Sequence, residues 1–362
     1  MKLAWKELTH SWKKYTLITL IVVLMMFMVL FLSGLVDGLG RAVSSGIDNM
    51  PAQSFVLKDD AEGLITVSSI TKDQANAVSA QAQHETATID ISRMYVSKSG
   101  SDEKIDVTYF AIDPAGTLAP GVLEGSSLAD SDSQNAIILD DDFMAKGISV
   151  GDVIRDSSTS LEFTVVGFTK DAMYSHISIG YISTETYANL MHELNPNYHE
   201  SIHAIALSDS TEAISVDGLT VMSKADVINK IPGYASEQMT IKMVDWMLVV
   251  ITAVILAIFF FVINLQKEKE FGVMKAIGVS MGRLSRFVIA EVGIIATSGA
   301  CVAGILVWGM AQGLPATMPF YLKTQNVLVI LIAFILISLA GSLISIIKVG
   351  RIDPAEIIGG DN

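Results

Sequence analysis

Four apolar runs of membrane length constrain this chain more than any other feature. Tyr15–Val36 has 22 residues without a charge, Trp246–Leu265 and Val327–Ile347 have none either, and Phe287–Met310 carries only Glu291. A hydrocarbon layer of roughly 30 Å asks for about 20 apolar residues of helix. Backbone groups cannot bond to water there, so each run is expected to be a spanning helix. The first run is too long for the apolar stretch of a signal peptide, and no small-x-small cleavage site follows it. It is therefore expected to be an uncleaved first helix with the N-terminus inside.

The runs divide the chain. Residues 1–14 read as an amphipathic lead-in with Trp5, Trp12 and four lysines, suited to the cytoplasmic interface. Spans are expected at 15–36, 242–265, 287–310 and 327–347, separated by an insert at 37–241, a cytoplasmic segment at 266–286 and an outer loop at 311–326. A cytoplasmic tail occupies 348–362, so both termini lie inside a plasma membrane. Ser33-Gly34, Gly38 and Gly40 are expected to break the first helix.

Charge sets the insert apart. About 30 of the 38 acids but only about 11 of the 24 bases lie between Asp37 and Ile241, which accounts for a net charge of −14 in a chain that is 51% apolar. An acidic balance argues against nucleic-acid binding. Strand-like pieces recur at 54–58, 86–91, 104–112, 135–139, 161–168, 177–182 and 202–207. Helices are expected at 71–82, opening on the capping pattern Thr71-x-x-Gln74, and at 223–230, opening on Ser223-x-x-Asp226. The fold class is thus a membrane protein of four transmembrane helices with a large extracytoplasmic α+β domain between the first and second.

The segment after the second span, QKEKEFGVMKAIG, is charged and amphipathic. Lys267, Lys269, Lys275, Arg283 and Arg286 place it on the cytoplasmic side. Phe271, Val273, Met274 and Ile277 offer apolar anchors to a soluble partner. No phosphate-binding G-x-x-x-x-G-K-[ST] motif occurs, and with one cysteine there is no Cys/His cluster. A cytoplasmic platform without an ATPase points to an ATPase on a separate chain. Cys301, the one cysteine, reads as a small buried packing residue. Asp140–Asp142 reads as a cap for the following turn. Glu291 is expected to pair with Arg286 or Arg283, and Asp245 to lie wet at the interface.

The segment EKEFGVMKAIGVSMGRL together with the tail KVGRIDPAEIIGG resembles the MacB/FtsX-type family of ABC-transporter permeases. MKLAWKEL, LFLSGLVDGLGR, DAMYSHISI and TMPFYLKTQ are similar to its haem-exporting members, so the resemblance covers essentially the whole chain. It implies a homodimer that binds two ABC ATPase subunits in a 2:2 complex and removes haem from the membrane. ATP and magnesium would sit on the partner; the chain needs no cofactor of its own, and haem is its substrate. The residues it implies for the ATPase contact are Lys267, Glu268, Glu270, Phe271, Gly272, Met274, Lys275 and Gly278.

Haem calls for soft or phenolate ligands, apolar walls and a cation for its propionates. Met25 and Met28, three apart on the first helix, answer the first need with Phe31 as a wall, and Arg41 is a propionate partner. Met243 and Met247, four apart, recur near the second helix with Tyr234, while the insert offers Tyr174 and His176. Two other readings suit the same scaffold. One is a transmembrane regulator of an extracellular hydrolase; the other is an exporter of peptides, lipids or macrolides.

Overall fold

The computed structural model describes residues 10–100, 103–159, 161–209, 214–314 and 318–350, without the side chains of 344–350. The lead-in up to residue 9 and the tail from residue 351 lie outside the described residues. The chain divides into a helical unit, Met1–Gly38, Thr240–Leu314 and Phe320–Asn362, and a mixed unit, Leu39–Met239 and Pro315–Pro319.

In chain order the helices are α1 (Trp12–Asp48), α2 (Lys72–Gln81), α3 (Asp142–Ala145), α4 (Thr184–Leu194), α5 (Lys224–Lys230), α6 (Tyr234–Gln266), α7 (Glu268–Ala276), α8 (Met281–Ala311) and α9 (Thr324–Gly350). The strands are β1 (Ser54–Lys58), β2 (Thr86–Lys98), β3 (Ile105–Ile112), β4 (Glu124–Gly125), β5 (Ala136–Asp140), β6 (Val153–Asp156), β7 (Glu162–Thr169), β8 (Met173–Tyr174), β9 (Ile177–Ser183), β10 (Ala204–Leu207) and β11 (Leu219–Ser223).

In the helical unit α1, α6, α8 and α9 are each long and apolar enough to cross a membrane. Tyr15, Ile18, Val22, Met26 and Leu30 recur every three or four residues on α1 and form one buried stripe. That stripe packs with Leu256 and Phe260 of α6, Phe271 of α7, Val288 and Val292 of α8, and Phe334 of α9. Only 17% of the apolar window of α6 is buried, so its remaining surface requires apolar surroundings.

The glycines do not break the first helix. It runs unbroken for 37 residues, and Gly34 serves instead as a point of close approach. A Cβ there would lie 2.5 Å from Cε2 of Phe320, and the backbone nitrogen of Tyr321 donates to the Gly34 carbonyl at 3.0 Å. The absent side chain lets the α8–α9 connection rest on α1.

The mixed unit is one sheet in the order β11-β1-β10-β2-β3-β9-β5-β7-β4, with β6 against β2 and β7 and β8 against β9. Among the described strands only β3–β9 and β5–β7 are parallel. Both lie mid-sheet, and β9 (ISIGYIS) is buried along almost its whole length, as strands covered on both faces are. The capping box at Thr71 and Gln74 forms as expected, and the Ser223 side chain accepts from the Asp226 nitrogen at α5. Strand β2 runs seven residues past its expected end, since its polar outer half pairs with β3 and β6. Strands β4, β6, β8 and β11 and helix α4 are additions to the elements read from the sequence.

Candidate functional site

The platform begins with a single non-helical residue. Lys267, at φ −92° and ψ 5°, separates α6 from α7. At the other end Gly278 takes φ +93°. Its nitrogen donates to the Lys275 carbonyl at 3.1 Å and the Val279 nitrogen to that of Met274 at 3.0 Å. Two such bonds around a left-handed glycine close a helix end, which accounts for Gly278.

Burial then sorts the residues implied for the ATPase contact. Phe271 and Gly272 are buried, and Lys267 has only 2% of its side chain exposed. These three therefore lie inside the unit rather than on its surface, a correction to the expected face. Glu270, Lys269 and Gly278 are exposed, while Glu268, Met274 and Lys275 are half-buried. The exposed apolar anchors are Val273 at 52% and Ile277 at 76%, four residues apart and hence on one side of α7.

Lys267 faces inward because it has partners there. Its Nζ lies 2.6 Å from Oε1 of Glu291 on α8 and 2.6 Å from the hydroxyl of Tyr15 on α1. The rings of Tyr15 and Phe287 flank the ammonium at 5.2 and 5.8 Å. Glu291 thus pairs with Lys267 and not with Arg283 or Arg286, both of which are exposed. Cys301 is exposed on α8 rather than buried.

In the mixed unit, the stretch DAMYSH wraps the last turns of α1. Asp171, Ser175 and His176 all have φ between 51° and 63°, so the chain curls tightly around them. The Ser175 and His176 nitrogens donate to the carbonyls of Val43 and Ala42 at 2.8 and 2.9 Å. The Met173 nitrogen donates to Ser45 Oγ at 3.0 Å, and Asn49 Nδ2 donates to the Asp171 carbonyl at 2.8 Å. Arg41 is held by the same wrap, bonding Asn49 Oδ1 at 3.0 Å and lying 3.5 Å from Asp171 and 3.8 Å from Asp48. Its guanidinium is thus committed within the unit, which the expected propionate role did not foresee.

His176 lies in this turn and not in a strand, and its Nε2 is 3.1 Å from Oε2 of Glu237 on α6. Tyr174 is 6% exposed and meets Phe110 edge-on at 5.6 Å. Burial pushes its hydroxyl up to about 12. It is a core phenol, not a presented ligand. Tyr234, one turn before His176's partner Glu237, packs half-buried against the same core.

Among the thioethers, Met28, Met243 and Met247 are exposed on α1 and α6, whereas Met25 packs against the buried stripe. Phe31 stacks between Phe27 at 6.0 Å and Phe320 at 5.6 Å. The sequence reading missed a cleft of about 620 Å³ in the mixed unit, where Met173 and His176 share walls with Arg93, Lys104 and Lys146. No spacing signal joins these residues, because β2, β3, α3 and the turn meet only through the sheet. Asp140 does bond the Asp142 nitrogen at 3.2 Å, as a cap would, but it also accepts from the Ala172 nitrogen at 2.7 Å. Burial lifts its carboxyl to about 7.

Two family models match successive parts of the chain. The model of the MacB-like periplasmic core domain matches residues 16–217, and that of the FtsX-like permease C-terminal matches residues 243–354. A Staphylococcus haemolyticus protein, provisionally named hemin transport system permease protein HrtB, is 29% identical over 360 residues, covering 99% of both chains. A Staphylococcus epidermidis protein of the same name is 28% identical with the same coverage. The uncharacterized ABC transporter permease Mb2592 of Mycobacterium bovis is 25% identical over 361 residues, 97% of each chain. Among solved structures, the periplasmic region of MacB from Actinobacillus actinomycetemcomitans aligns at 13% identity over 53% of this chain and 95% of that one, with a TM-score of 0.36. The extracellular domain of the noncanonic ABC-type transporter YknZ from Gram-positive bacteria aligns at 14% over 47% and 98%, with a TM-score of 0.33.

Proposed function

This chain belongs to the MacB/FtsX-type family of ABC-transporter permeases, and on that premise we propose that it is the permease subunit of a haem exporter. The observation that carries the reading is the end-to-end match to permeases named for hemin transport, at 28–29% identity over 99% of each chain. A separate ATPase of the HrtA type supplies the energy, and the working assembly is two permeases with two ATPases in the plasma membrane. Both termini and α7 lie on the cytoplasmic side, the mixed unit outside.

Transport is mechanical in this reading. ATP binding closes the ATPase pair, the movement is taken up through α7, and the first two spans tilt. Haem partitions into the bilayer, so it reaches the spans sideways and needs no cytoplasmic pore. The exposed thioethers of Met28, Met243 and Met247 are soft donors suited to haem iron. Outside the spans, the cleft holding Met173 and His176 offers soft donors beside the cations a propionate requires.

The test is a haemin titration of the purified permease–ATPase complex in lipid, following the Soret band and ATP turnover together. A saturable Soret shift with altered turnover is expected. A featureless titration with flat turnover would discard haem and turn attention to a protein partner of the mixed unit, or to peptide, lipid and macrolide substrates.

A further inference from the structure

The Lys267–Glu291–Tyr15 cluster is unusual in where it stands. A cation and an anion, each with 2% of the side chain exposed, sit among apolar helices. Charge there is costly, and apolar residues of the same volume would pack at least as well. What an ion pair supplies beyond packing is direction and register: it is short in one geometry only. This one ties three elements at one atom, since Lys267 Nζ meets α8 through Glu291 Oε1 and α1 through the Tyr15 hydroxyl.

The position on the chain is equally specific. Lys267 is the one residue between α6 and α7, and its backbone belongs to both: its nitrogen donates to the Asn264 carbonyl at 3.2 Å and its carbonyl accepts from the Phe271 nitrogen at 2.9 Å. A joint between two helices would ordinarily be the place where a push is absorbed by bending. Here that joint is pinned from the side.

We infer that Tyr15, Lys267 and Glu291 are positioning residues that make the α6–α7 joint rigid, so that displacement of α7 reaches α1 and α8 instead of being lost at Lys267. The inference rests on α7 being the ATPase-facing element, and it is independent of what is transported.

The test uses the full permease–ATPase complex in lipid nanodiscs, with spin labels at Leu17→Cys on α1 and Lys269→Cys on α7 in a Cys301→Ser background. The α1–α7 distance should be narrow and equal in the nucleotide-free and ATP–vanadate states. With Lys267→Met/Glu291→Leu, which keeps the volume but removes the directional bonds, the distribution should broaden at least twofold and become nucleotide-dependent. Glu291→Gln should fall between the two. A nucleotide-dependent distance in the parent, or an unchanged narrow distance in the double variant, overturns the joint. Co-elution of the ATPase with the permease, expected to be lost on Ile277→Asp, tests the docking reading separately. Its failure would remove the premise, while the distance measurement alone decides the joint.

Discussion

Lys267 Nζ lies 2.6 Å from Glu291 Oε1 with both side chains all but sealed from solvent. Removing one member leaves the other's charge buried without its counter-ion, a loss of about 3–5 kcal/mol. Glu291→Ala is therefore expected to lower the thermal unfolding midpoint of the purified permease by several degrees. Lys267→Met/Glu291→Leu should recover most of that drop, because both charges leave together. An equal drop in the double variant would show that packing, not charge, is at stake.

The outward face of α7 yields a second prediction. Val273 and Ile277 are exposed and share one side, whereas Phe271 is buried in the helical core. Ile277→Asp should weaken ATPase capture at least tenfold, about 1.4 kcal/mol, while leaving the permease as stable as the parent. Phe271→Asp should cost stability before it affects the partner, since it buries a charge. Immobilised permease titrated with ATPase, alongside thermal melts, separates the two effects. Ile277→Asp binding as tightly as the parent would move the docking face elsewhere.

Tyr174 tests the haem ligands. Its hydroxyl, raised to about 12 by burial, stays protonated at neutral pH, and its ring is packed on Phe110. Tyr174→Phe should leave haemin affinity within about twofold, a change under 0.5 kcal/mol, and leave the Soret position unchanged. Tyr174→Ala should destabilise the mixed unit by about 3 kcal/mol or more through the cavity it opens. A Soret shift lost in Tyr174→Phe would mean that the phenol leaves the core to bind iron.

A pH dependence follows from Asp90 and His203. Asp90 Oδ1 accepts from the His203 backbone nitrogen at 2.8 Å, and burial lifts its carboxyl from 3.8 to about 7. His203 Nδ1 accepts from the Ile91 nitrogen at 2.9 Å, and burial lowers that imidazole from 6.5 to about 4. The folded state therefore holds the Asp90 proton where the unfolded chain has released it. That contribution is whole below pH 3.8 and is lost as pH rises through 7. The His203 contribution runs the other way, whole above pH 6.5 and lost as pH falls towards 4. Asp90→Asn removes the first, so its stability relative to the parent should grow from pH 4 to 7, by at most about 1.4 kcal/mol per unit. Hydrogen-exchange protection of β2 and β10 across that window reads the difference. A difference that does not change with pH would remove Asp90 as the titrating group.

Much of the architecture was legible because it is written in one dimension. Charge-free runs near 20 residues can only span, and a period-two apolar pattern between turns can only be strand. β1 and the two capped helices α2 and α5 came out within a residue of their expected ends, since their signals are local. Sites were less legible. Arg41 and His176 looked available because a sequence does not show Asn49, Asp171 or Glu237 waiting beside them. Gly34 looked like a helix breaker because Phe320 lies far along the chain.

The amino-acid sequence by itself determined the spans, the acidic insert, the missing phosphate-binding loop and the charged segment between spans, all consequences of composition over a dozen or more consecutive residues. Tertiary structure alone decided which residues of that segment face outward. It turned Phe271 and Lys267 inward, left Ile277 and Val273 outside, and gave Glu291 a partner 24 positions away instead of the arginines one and two turns before it. Helical periodicity makes every third or fourth residue a neighbour and so nominates several equivalent faces. Which face is buried depends on where α1 and α8 pack, and a buried charge then pairs with whichever opposite charge the packing brings within bonding distance.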